Sequence, residues 1–301
     1  MGVTPKTSKD GIKPMNLPET VLPGTLALVG FPTDAGSSFL QGPALAPQRI
    51  REAFWSPSRN TTTEGGLDLA REPRLIDLGD VELDAADGAR RRATIERTCG
   101  SVLERGGRLL SLGGDHSISH PILLAHGKAH GGLGTSDLTV LQIDAHADLY
   151  DRLDGDEHSN ASPFARAFEA GAIGRMVQVG IRTLTTHQRQ QAEKFGVEII
   201  TMRDFYRGAR PELKGPIYLT LDLDGIDPAF TPGVSHQEPG GLSTRDVIDL
   251  IQELPPSLVG ADVVELNPIR DPDGATAMVA AKLMGEIAHR MFDSMGGADT
   301  P

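Results

Sequence analysis

Short apolar, β-branched runs alternate with stretches of helical periodicity along most of this chain, and two of the runs end directly in carboxylates. Leu138-Thr-Val-Leu-Gln-Ile143 leads into Asp144-Ala-His146-Ala-Asp148, and Ile217-Tyr-Leu-Thr-Leu221 leads into Asp222-Leu-Asp224-Gly-Ile-Asp227-Pro228. Side chains alternate along a strand, so Asp144, His146 and Asp148 share one side, as do Asp222 and Asp224. Four carboxylates gathered at strand ends repel one another unless a cation neutralises them. A fold that brings these two ends together therefore calls for a metal centre.

The remaining pattern supplies such a fold. Strands are expected at 26–30, 74–78, 108–112, 138–143, 176–180, 197–200, 217–221 and 258–265. Helices are expected at 48–55, where Pro47 serves as a first-turn proline, within 84–105, and at 119–130, 161–170, 185–195, 243–253 and 275–292. Alternation of this kind indicates an α/β protein of three layers, a mostly parallel central sheet with helices on both faces. Residues 1–23 are polar and proline-rich and read as a flexible arm, leaving 24–301 as a single domain.

Composition narrows the function classes. The net charge of −12 argues against nucleic acid and anionic membranes as partners and suits a small cationic substrate. Cys99 is the sole cysteine, so neither an internal disulfide nor a cysteine zinc site can form. No apolar run reaches membrane-spanning length, and the first residues lack the apolar core of a signal peptide. On these grounds the expectation is a cytoplasmic enzyme.

A third segment joins the two carboxylate motifs. Leu109-Leu-Ser-Leu-Gly-Gly-Asp-His116 closes a strand with a Gly-Gly turn and presents His116. Ligands in open α/β sheets bind beyond the carboxyl ends of strands, where His116, Asp144, His146, Asp148, Asp222, Asp224 and also Glu265 all fall. A single aspartate at a strand end is ordinarily a turn or cap residue, and Asp227 before Pro228 is read that way. Six ligand-type residues from three segments are another matter: they exceed one tetrahedral zinc and suit two divalent ions sharing carboxylates. The oxygen-rich set favours Mn²⁺, with Ni²⁺ or Co²⁺ as alternatives.

These segments together resemble the ureohydrolase family of arginases, agmatinases and related guanidino hydrolases. The matching motifs are Gly113-Gly-Asp-His-Ser117, Asp144-Ala-His-Ala-Asp148 and Asp222-Leu-Asp-Gly-Ile-Asp-Pro228, continued by 230–242, Val263-Val-Glu-Leu-Asn-Pro268 and 37–52. The pattern of 158–166 and 230–242 is similar to plant-type arginases and their bacterial relatives. The resemblance implies an arginase-like fold, two Mn²⁺ per subunit and a homotrimer or homohexamer. It implies that Asp144 and Asp222 bridge the metals, that His116 and Asp148 complete one site, and that His146 and Asp224 complete the other.

The chemistry implied is cleavage of a guanidino compound to urea and an amine. A guanidinium carbon is a poor electrophile, and a divalent cation meets the difficulty by lowering the pKa of bound water to about 7. The amine must be protonated before it leaves. By motif position His158 is the expected proton carrier. Glu265 is expected to accept the planar guanidinium fork through two parallel hydrogen bonds. His236 and Ser159 are expected to touch substrate. Tyr150 stands where animal-type arginases place an asparagine, and Thr183 where they carry an aspartate, whereas Asn267-Pro268 is arginase-like. L-arginine is the favoured substrate, with agmatine or another guanidino compound as the alternative. A single-zinc deacylase of related fold is the distant alternative.

Overall fold

The computed structural model describes Glu19 and residues 21–296. Most of the expected 1–23 arm lies outside the described residues, but Val21 is fully buried, so the packed body begins before residue 24. Eight strands form one parallel sheet: β1 Leu26–Phe31, β2 Leu75–Asp80, β3 Arg108–Gly113, β4 Thr139–Ile143, β5 Arg175–Ile181, β6 Glu198–Thr201, β7 Ile217–Asp222 and β8 Leu258–Val264. Their spatial order is β2-β1-β3-β8-β7-β4-β5-β6, with every pairing parallel.

The helices are α1 Ala46–Phe54, α2 Gly88–Glu104, α3 Ser119–Ala129, α4 Pro163–Glu169, α5 Thr186–Phe195, α6 Met202–Phe205, α7 Thr244–Gln252 and α8 Ala275–Asp293. All but the four-residue α6 follow the helical periodicity of the sequence. Thr185 and Ser243 close capping boxes at the starts of α5 and α7, and Gly196 ends α5 in the left-handed conformation.

Strand alternation divides the interior into two cores. Leu26, Leu28, Leu110, Leu112 and Leu219 pack with α1, α6, α7 and α8 on one face. Ala27, Val29, Phe31, Leu109, Val140 and Tyr218 pack with α2, α3, α4 and α5 on the other. The six inner strands are buried along nearly their whole length, as parallel strands covered on both sides must be, whereas the edge strands β2 and β6 are largely half-buried or exposed.

The arrangement fixes where ligands can go. β3, β8, β7 and β4 are adjacent at the centre of the sheet, and all run the same way. Their carboxyl ends therefore open together into one crevice. Two glycines permit the close approach required there: a side chain on Gly114 would overlap the Thr33 carbonyl, and one on Gly225 would overlap the Asp144 backbone.

Candidate metal centre

β3 delivers His116 through the Gly113-Gly114 turn, β4 delivers Asp144, His146 and Asp148, and β7 delivers Asp222 and Asp224. These six residues converge in two groups. His116, Asp144, Asp148 and Asp222 form the first, and Asp144, His146 and Asp224 the second; within each group, ligand atoms lie within 4.8 Å of one another. Donors set about 2.0–2.6 Å from a single ion span a distance of that order. Asp144 belongs to both groups, as a bridging carboxylate should, whereas Asp222 falls in the first alone.

The charge balance supports occupation by cations. His116 Nδ1 stands 3.3 Å from Asp144 Oδ2 and 3.0 Å from both Asp148 Oδ2 and Asp222 Oδ2, all of them buried. Despite these neighbours, Nδ1 is a buried nitrogen with no hydrogen-bond partner among the described residues. None of the oxygens makes a hydrogen bond to the ring nitrogen, and all four ligand atoms keep the mutual spacing that donors around one ion would share.

Without metal, protons must do the neutralising. Burial, then the charges of Asp224 and Asp144, push Asp222 well above the ordinary carboxylate range. Burial and Asp144 raise Asp148 to about 6. Burial opposes charge on His146 as well, but Asp224 and Asp144 outweigh it and lift the imidazole to about 12. Divalent cations supply the same positive charge and leave the carboxylates ionised.

Buried polar partners orient the ligands. Thr220 donates its single hydroxyl proton to Asp262 Oδ1 at 2.6 Å, so its oxygen accepts from His116 Nε2 at 2.9 Å. That fixes the tautomer and leaves Nδ1 for the cluster. Asp262 is itself held by Ser119 and Tyr218, each donating at 2.8 Å. On the other side, Gln178 donates to Gln142 Oε1 and Gln142 to Asp144 Oδ2, both at 2.6 Å. Sequence reading passed over Thr220 and Gln142. Each precedes a ligand by two residues on the same strand, so period two offered the signal.

A cavity of about 200 Å³ opens over the cluster, lined by Asp148, Asp222, Asp224, His146, Glu265, Asn160, Ser38 and His236, with Tyr150, Thr183, Thr185 and Gln188 at its outer wall. Glu265 and Asp148 both hold backbone φ angles in the left-handed region, 66° and 49°, which non-glycine residues rarely occupy. Glu265 Oε1 accepts from the His116 backbone amide at 2.8 Å, while Oε2 is buried without a partner among the described residues. Burial, then the charge of Asp115, raise this carboxyl to about 8, a cost that a cationic ligand would reverse.

The structure separates the remaining expected residues. His236 does enter the cavity, with Nε2 3.4 Å from Ser38 Oγ and its ring against His146. His158 does not. An Asx turn, with Asp156 Oδ1 accepting the His158 amide at 2.8 Å, sends the imidazole into a neighbouring cavity, where it stacks on His120. Asn160 faces the cluster instead, a residue that motif position alone did not single out. Ser159 is buried against Ser162 and lies outside the cavity lining. Asp227 is the expected turn residue, accepting from the amides of Ala229, Gly240 and Gly241.

Comparison with known proteins agrees with this geometry. The family model described as the arginase family matches residues 25–289. A mitochondrial arginase 1 of Arabidopsis thaliana is 46% identical over 281 residues, covering 88% of this chain and 80% of the relative. A guanidinobutyrase of Pseudomonas aeruginosa is 32% identical, covering 91% and 90%. The solved arginase of Medicago truncatula superposes with a TM-score of 0.82 at 44% identity, over 89% of this chain and 87% of that one.

These names correct the cytoplasmic expectation, because the plant relatives are named mitochondrial and one of them chloroplastic as well. Absence of an apolar signal core bears on secretion only, since organellar import sequences are amphipathic rather than apolar. Among the described residues no helix is long and apolar enough to cross a membrane. The parallel fold, the twin His/Asp clusters and the extent of these matches converge on one conclusion: the chain belongs to the arginase family and is a metal-dependent amidinohydrolase.

Proposed function

We propose that the protein hydrolyses L-arginine to L-ornithine and urea at a pair of Mn²⁺ ions. One ion would be held by His116, Asp148 and Asp222 and the other by His146 and Asp224, with Asp144 shared. When bound, such a pair supplies a nucleophile from water near neutral pH and stabilises developing negative charge. The observation that carries the substrate class is Glu265 Oε2, a buried and unpartnered carboxylate oxygen facing the cavity beside the metal ligands. A planar guanidinium is the group that fits it, donating two parallel N–H bonds.

In this reading Glu265 sets the guanidinium carbon over the cluster, and Asn160 holds the carboxylate in place. His236, the cavity imidazole outside the ligand set, takes the proton-carrying role that His158 is turned away from. Arginine is favoured by the identity shared with plant arginases. A second reading, agmatine or a guanidino acid, has one observation in its favour. The outer wall of Tyr150, Thr183, Thr185 and Gln188 carries no formal charge with which to recognise an amino-acid head group. Assembly as a homotrimer or homohexamer is part of the same proposal.

The test is urea release from arginine, agmatine, guanidinobutyrate and guanidine, each with Mn²⁺ and with Ni²⁺. Preference for arginine with Mn²⁺ is expected. Preference for another member of the panel replaces the substrate assignment, and a single zinc per chain with amide cleavage and no urea refutes the reaction class.

A further inference from the structure

Beyond the metal cavity lies a second one, also about 200 Å³, lined by Arg91 and Arg92 from the first turns of α2 together with Gly88, Ser117, Asp156 and His158. In a chain of net charge −12 this is an unusual concentration of guanidinium groups. The two converge on one spot: a β-carbon placed on Gly88 would lie 3.2 Å from Arg92 Nη1 and 3.5 Å from Arg91 Nη2. Arg91 spends Nη1 on the carbonyls of Asp84 and Ala85, at 3.0 and 3.3 Å, which pins the group in place. The Arg92 guanidinium has no hydrogen-bond partner among the described residues; Asp156, Glu157 and Asp87 act on it only at longer range. Asp156, the carboxylate in the lining, already accepts the His158 amide. Behind them His158 Nδ1 and His120 Nδ1 are both buried and unpartnered among the described residues.

Burial, followed by the charge of Arg91, pulls Arg92 below the usual guanidinium range, and burial followed by Arg92 does the same to His158. Each cation thus raises the cost of its neighbour, a cost that an anion between them removes.

We propose that this cavity binds a small free oxyanion, clamped between the guanidinium forks of Arg91 and Arg92. The site is separate from the metal centre but shares a wall with it. Gly36 lines this cavity, donates its amide to Asp115 Oδ2 at 2.7 Å, and accepts from the Asn160 amide at 2.8 Å.

Inorganic sulfate is the probe, titrated by calorimetry into the metal-loaded protein. One saturable site per chain is expected, weakened roughly tenfold or more by Arg92→Ala and partly retained by Arg92→Lys. Gly88→Asp should abolish binding by placing a carboxylate between the guanidiniums, and an acid in the first turn of a helix favours folding. Asp144→Ala, which dismantles the metal centre, should leave the sulfate site intact. The proposal is overturned by absence of saturable binding to the wild-type protein, by equal affinity in Arg92→Ala and Gly88→Asp, or by loss of binding in Asp144→Ala.

Discussion

Asn160 donates its side-chain amide to Glu265 Oε1 at 3.1 Å, and its own oxygen accepts the Ser38 amide at 3.1 Å. One carboxylate oxygen is thereby fixed from two sides, by Asn160 and by the His116 backbone, while the other is left free toward the cavity. A single loop residue ties the β1 loop to the carboxylate at the end of β8.

Removing either partner should separate binding from chemistry. Glu265→Gln deletes the charge that meets the guanidinium, and a charge-assisted hydrogen bond is worth about 1.5–3 kcal/mol. A fall in kcat/KM of roughly tenfold to a hundredfold or more is expected, measured by urea release. Asn160→Ala should cost less, since it loosens Glu265 without removing it. If Asn160→Ala is as damaging as Glu265→Gln, Asn160 touches the substrate itself.

Because Asp144 belongs to both ligand groups, Asp144→Ala should strip metal from both, whereas Asp224→Ala should spare the group around His116. Metal content by plasma mass spectrometry distinguishes near-zero loading from about one ion per chain. Equal loading in the two variants would remove Asp144 from its bridging role.

The two cavity histidines make opposite forecasts. His236→Ala should lower turnover by roughly a hundredfold, the scale of general acid–base assistance, with both metals retained. His158→Ala should leave turnover close to wild type, because its ring stacks on His120 in the neighbouring cavity. A large loss in His158→Ala would mean that the 150–160 loop swings inward during the reaction.

A buried histidine far from the metals should set part of the acid sensitivity. His126 is fully buried beside Tyr218 and His130, both its ring nitrogens lack partners among the described residues, and burial followed by His130 lowers it to about 3. The unfolded chain binds the proton near pH 6.5 and the folded chain does not until about pH 3. The unfolded state therefore holds more protons between these values, so stability is lost as pH falls through that window. At pH 5 this group should account for about 2 kcal/mol. The loss of stability between pH 8 and pH 5 should be smaller in His126→Leu than in the wild type by denaturant titration. An unchanged difference would show that His126 titrates normally.

Much of the fold and of the metal centre is legible in the sequence because the information is local. Strand runs, helical periods and the ligand motifs each lie within a few consecutive residues, and carboxyl-end convergence follows from parallel topology. The short helix Met202–Phe205 escaped because one turn carries no period. His158 lies in the neighbouring cavity for a different reason: two residues of loop decide which side chain faces the metal cluster, and an Asx turn makes that choice. Motif spacing records that a loop carries a polar residue toward the metals, but not the turn chemistry that selects Asn160 over its neighbour.

The order β3-β8-β7-β4 at the centre of the sheet has a consequence for synthesis. The neighbours that carry the ligands are drawn from the middle and last thirds of the chain, and β8 at Leu258–Val264 fills the gap between β3 and the rest. A chain emerging from the ribosome can hold the β4 aspartates long before it can place His116 beside Asp222. The first ligand group therefore cannot close until β8 has been made, and tight metal uptake doubles as a report that translation has passed that strand.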